Sequence, residues 1–126
     1  MAFDSRLIVT ANRRSEEEQE EILFRMLANR GYVNYGNLYD SSHIMPDWVT
    51  RLHKLYNQAL PHMRGCRRLL PNNAGVRWEN RAGNLIWTYS DWHPDTDATF
   101  VRLDGEKEMP WTQPVLESGN VYRSLT

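Results

Sequence analysis

The sequence predicts one α+β domain over residues 1–126, with an N-terminal strand and two amphipathic helices packed on a C-terminal antiparallel sheet of three to five strands. Three observations predict it. Apolar residues recur at helical spacing over about 16–30 and again over about 47–60. From residue 66 to 117 that period gives way to short apolar and aromatic runs separated by Asn, Gly and Asp. A chain of 126 residues is also the size of a single domain that buries a real core without staples.

The elements follow in order. The β-branched run from Arg6 to Ala11 predicts a buried strand. Ser15 followed by Glu18 has the capping-box spacing, in which hydroxyl and carboxylate satisfy free amides at a helix start. The neighbouring glutamates suit the positive end of the helix dipole. Ile22, Leu23, Met26 and Leu27 form one helical face, and Arg30 with Gly31 supplies a cationic last turn and a terminating glycine. Residues 31–40 hold three tyrosines and two glycines, a composition that fits a twisted edge strand or an aromatic loop.

Pro46 suits the first turn of the second helix, where its missing N–H costs nothing. Trp48, Val49, Leu52, Leu55, Tyr56, Ala59 and Leu60 then share a face until Pro61 stops the ladder. Strands are expected at Leu69-Leu70, 76–81, 85–90, 99–103 and near Met109. Turns are expected at Asn72-Asn73, Gly83-Asn84 and Asp104-Gly105. Pro110 and Pro114 bracket Trp111 and assign it to an edge or an extended segment. Residues 118–126 read as a tail docked through Val121, Tyr122 and Leu125.

Charge and cysteine usage narrow the function classes. The net charge of −1 argues against a generic polyanion binder, which needs a clear surplus of Lys and Arg. The distribution is uneven, however. Arg51, Lys54, Arg64, Arg67, Arg68, Arg77 and Arg81 lie in a stretch whose one acid is Glu79, whereas 15–21 and 91–108 are acidic. Cys66 is the single cysteine, so neither an internal disulfide nor a zinc ribbon can form. No signal peptide and no run long enough to span a membrane is read, and the cytoplasm is the expected location.

Two stretches invite a functional reading. In the 76–90 hairpin, Trp78, Trp87 and Tyr89 can share a face, as core or as a stacking platform flanked by Arg77 and Arg81. In Asp91-Trp92-His93-Pro94-Asp95, the alternate positions Asp91, His93 and Asp95 carry metal-ligand types, though the spacing is not that of an EF-hand. No glycine-rich phosphate loop or nucleophile elbow occurs, so no cofactor is expected.

Tryptophan and tyrosine supply eleven of the fourteen aromatics, which favours a non-enzymatic interaction protein. Such a protein docks a partner, or a second copy of itself as a homo-oligomer, through Trp, Tyr and Arg side chains. Partner- or phosphate-binding is assigned to Arg51, Lys54, Arg64, Arg67, Arg68, Arg77, Arg81 and Trp92. The alternatives are a nucleic-acid or nucleotide binder using the basic stretch with the aromatic platform, and a small metal-dependent enzyme at Asp91, His93 and Asp95. Of these, interaction without catalysis is the leading expectation.

Overall fold

A computed structural model describes residues 15–31, 46–94 and 97–125 of the chain. The predicted strand at 6–11, the tyrosine-rich stretch from 32 onward and Asp95 lie outside the described residues. Among the described residues the fold is α+β, with two α-helices and a six-stranded antiparallel sheet. The chain separates into two compact units, Met1–His53 and Lys54–Thr126.

In the first unit, helix α1 (Glu16–Ala28) begins as its sequence dictates. Ser15 takes the extended N-cap conformation, and its Oγ accepts the Glu18 amide at 3.2 Å. Leu23, Phe24, Met26 and Leu27 are buried. The far end departs from expectation: α1 stops at Ala28, two residues before Arg30. Arg30, not Gly31, adopts the left-handed conformation (φ 56°). The Arg30 amide donates to the Leu27 carbonyl and the Gly31 amide to the Met26 carbonyl, a Schellman ending in which arginine stands where glycine is usual. An ion pair joins Arg51 to Glu20 within this unit.

Helix α2 (Asp47–Ala59) starts directly after Pro46, whose carbonyl accepts the Val49 and Thr50 amides. Val49, Leu52, Leu55 and Ala59 are its buried positions, at helical spacing. It ends one residue earlier than the expected Leu60. Pro61 cannot donate to an α-ladder, and the chain tightens into a single 3₁₀ turn over Leu60–His62.

The second unit contains the sheet: β1 (Cys66–Leu69), β2 (Gly75–Asn80), β3 (Gly83–Thr88), β4 (Phe100–Leu103), β5 (Glu108–Trp111) and β6 (Val121–Ser124). Their spatial order is β1-β2-β3-β6-β4-β5. The expected three to five strands are therefore corrected to six. The added strand is β6, in the stretch that reads as a tail, and it lies between β3 and β4. Val121 and Tyr122 are wholly buried there. Its four residues carry too little pattern to declare a strand. Their partners are supplied by segments distant in sequence.

Turn chemistry explains the hairpins. Asn72 and Asn73 both take positive φ (59° and 60°), the type I′ geometry that matches strand twist and that asparagine tolerates. The β2–β3 turn centres on Arg81-Ala82, and Gly83-Asn84 already belongs to β3. The β4–β5 turn is closed by Asp104, whose Oδ1 accepts the Glu106 and Lys107 amides. Those hydrogen bonds hold the Asp104 carboxyl below its ordinary range.

Cross-strand register assigns the faces. Val76 opposes Trp87 and Trp78 opposes Leu85, so both tryptophans share one face with Val101, Leu103 and Val121. All of these are buried. The C-terminal turn of α2 and the 3₁₀ turn after it are both fastened to the second unit's strands. Gln58 bonds Gly105 and Lys107 at the β4–β5 turn, and Asn80 Nδ2 donates to the His62 carbonyl.

The other sheet face carries a separate core of Leu70, Ala74, Ile86, Phe100, Leu116 and Tyr122. Residues 89–94, 97–99 and 112–120 supply part of that core or pack against it. Backbone bonds between Trp92 and Leu116, 2.9 and 2.8 Å long, zip the first of these segments to the last. Thr88, buried at their base, donates to the Glu117 and Asn120 carbonyls. This satisfies a hydroxyl that would otherwise be costly to bury.

Candidate functional site: a cleft on the Trp111 edge

Four of the seven basic residues singled out by the sequence pair with acids. Arg51 pairs with Glu20 in the first unit. In the second, Lys54 reaches Glu106 at 3.6 Å beside the β4–β5 turn. Arg68 and Arg77 converge on Glu79, at 2.5 and 3.5 Å, so the one acid of the basic stretch answers two of its arginines. Strand alternation turns Arg67 to the opposite face of β1 from Arg68. Arg64 and Arg81 are exposed, one just before β1 and the other in the β2–β3 turn.

Of the two readings of the aromatic face, core and stacking platform, the tryptophans take the core one. Trp87 is 0 % accessible, Trp78 is buried beside it, and Tyr89 is half-buried beyond the strand end. Trp92 is half-buried against the second core. Asp91 spends Oδ1 on the Ser118 amide at 2.8 Å. The His93 ring is exposed, with Nδ1 3.1 Å from the Pro94 carbonyl. No group of three or more His, Cys, Asp or Glu able to hold a metal occurs among the described residues. Cys66 is exposed at the start of the edge strand β1.

The arrangement that does form a concavity lies at the opposite edge. Pro110 cannot donate to a ladder, which suits β5 to the edge of the sheet and brings Trp111 to its end. Three contacts hold the half-buried indole. It meets the Tyr122 ring edge-on at 5.2 Å, the Arg102 guanidinium lies 5.8 Å over it, and its Nε1 donates to the Val115 carbonyl at 3.0 Å. The last bond folds the chain back immediately after β5. Tyr122 Oη then accepts the Glu117 amide and donates to the Glu117 carbonyl. Burial pushes that phenol above its ordinary pKa, so it stays a neutral donor.

Two adjoining clefts result, of about 740 and 450 Å³. They share Trp111, Thr112, Gln113 and Pro114. Asp91, Val115 and Glu117 line the larger; His93, Asp97 and Phe100 line the smaller. Asp91 and His93 thus fall in different clefts. Among the described residues neither cleft is lined by Lys or Arg. The combination of hydrocarbon with carboxylates can hold a chain that offers both apolar and polar groups.

Sequence reasoning located Trp111 at an edge but did not make it a site. The available signal was Pro110-Trp111-Thr112-Gln113-Pro114, in which the prolines deny the tryptophan a central strand. No protein-family model, curated protein or solved structure matches this chain.

Proposed function

We propose that this protein is a non-enzymatic docking module that receives an extended segment of a protein partner in the Trp111 clefts. One observation carries the reading: an indole held by three contacts lines both clefts at a sheet edge. A tryptophan ordered before binding loses little conformational freedom on contact, and buried aromatics are the usual anchors of interfaces. Met109, beside it on β5, is 44 % exposed and extends the apolar surface. A nucleic-acid reading draws weaker support, because Arg51, Arg68 and Arg77 pair with acids and Arg67 lies on the opposite face of β1 from Arg68.

Fluorotryptophan labelling with fluorine NMR tests the docking reading. Peptides selected from a display library against the whole protein should move the Trp111 resonance, assigned with Trp111→Phe, and leave that of Trp87 in place. Selected peptides that bind without moving the Trp111 signal would refute it.

A further inference from the structure

We infer that the segment taken by these clefts is basic: an extended, lysine- or arginine-bearing stretch of a partner, held by side-chain contacts rather than as an added strand. This rests on the docking reading above and goes further by fixing the chemistry of the occupant.

Charge is the first argument. The larger cleft presents Asp91 and Glu117, with no cation among its described lining residues. One Asp91 oxygen is engaged by the Ser118 amide, which orients the carboxylate. Glu117 is bound to Tyr122 through its backbone alone in the contacts described above, and the residue is exposed. An acidic occupant would meet two like charges there, whereas a cation is drawn in.

The second argument concerns what Trp111 leaves available. Its only polar group, Nε1–H, is spent on the Val115 carbonyl. The indole therefore offers hydrocarbon and π surface, and charge recognition in the larger cleft falls to Asp91 and Glu117. Lysine and arginine satisfy both demands in one side chain, with an aliphatic stem for the ring and a charged head for the acid. Arg102 already shows a guanidinium lying over this indole within the protein.

Backbone chemistry supplies the third argument. Pro110 deprives the β5 edge of an N–H in mid-strand, so a partner strand cannot pair along it without a break. A segment with no need of main-chain pairing, such as a polyproline II stretch, escapes that penalty.

The test uses the full-length labelled protein and three capped peptides: alternating proline–lysine, proline–glutamine and proline–glutamate dodecamers. The lysine peptide should shift the Trp111 resonance, lose affinity as salt rises, and weaken about tenfold on Glu117→Lys. That variant should melt with the wild type, since the Glu117 side chain is exposed. Equal binding of the glutamine peptide would overturn the basic occupant and leave the docking reading intact. Preference for the glutamate peptide would overturn it as well. A Trp111 shift produced by raising protein concentration alone, with a matching mass increase in light scattering, would identify a second copy as the occupant and likewise overturn it. Silence from all three peptides would also overturn it, while the library selection judges the docking reading independently.

Discussion

Trp87 and Trp111 are the same residue in the same sheet, and their neighbours give them opposite work. Trp87 stands in β3, with β2 on one side and β6 on the other, and no part of it reaches solvent. Trp111 closes β5, which has a neighbour on one side only. Proline before it, and a chain that folds back after it, leave its ring between core and solvent. What separates scaffold from candidate site is therefore strand position, not aromatic content. The tryptophan-rich 76–90 hairpin is the scaffold, and the less conspicuous Pro-Trp-Thr-Gln-Pro stretch is the rim.

The most drastic way to break this comparison is to remove residues 121–126. Losing β6 takes away the strand that joins β3 to β4 and exposes both tryptophans' supports. Loss of the cooperative thermal transition by circular dichroism is expected; a retained sharp transition would show that β6 is dispensable. Single substitutions come next. Trp87→Ala should cost about 3–5 kcal/mol in chemical denaturation, the range for truncating a buried aromatic. Trp111→Ala should cost only about 2 kcal/mol, since a half-buried ring held by three contacts gives up less than an enclosed one, yet abolish peptide docking. Equal stability losses at the two sites would erase the distinction.

Acidification offers a subtler probe near the same edge. Arg123 hydrogen-bonds Glu108 at 2.6 and 2.8 Å and holds its carboxyl below the ordinary 4.5. A depressed carboxylate stabilises the fold above the unfolded value, and the gain is lost as pH falls through the folded one. His62 is also lowered, from 6.5, first by burial and then by Arg123. Folding disfavours its protonation, so its contribution is complete above 6.5 and fades as pH drops below. Stability should thus decline in two steps. His62→Gln should remove the upper one, and Glu108→Gln should diminish the lower by about 1 kcal/mol or less, as expected for a partly exposed pair. A single step unaffected by His62→Gln would contradict this.

The smallest expected effect lies in the other unit, remote in sequence from both tryptophans. Arg30→Gly should stabilise by roughly 0.5–1 kcal/mol, because glycine accepts the left-handed C′ conformation without the Cβ penalty. Unchanged or lower stability would mean that the Arg30 side chain earns its place through other contacts.

Much of the local structure was legible. Ser15 announced the start of α1, the Val49, Leu52, Leu55 and Ala59 spacing announced α2, and Pro61 its end. Asn72-Asn73 and Asp104-Gly105 marked hairpins that are present. Each signal acts within a few residues, so composition and spacing suffice to find it. The candidate site was only half legible. Trp111 could be assigned to an edge because proline's missing N–H is a property of the residue itself. The cleft could not, since it needs the Trp92–Leu116 bridge and the Tyr122–Glu117 bonds, which form only once the sheet exists.

By itself, then, the sequence determined where the two helices coil, most of the segments that extend, two of the hairpin turns, and that the protein is α+β. Those outcomes follow from backbone stereochemistry and from apolar periodicity, both local properties. Tertiary structure alone decided that a four-residue stretch near the chain end would sit inside the sheet, and so which tryptophan was enclosed and which was left at the edge. Strand order is set by hydrogen-bond pairing between segments far apart in the chain, and no local pattern encodes the identity of a distant partner.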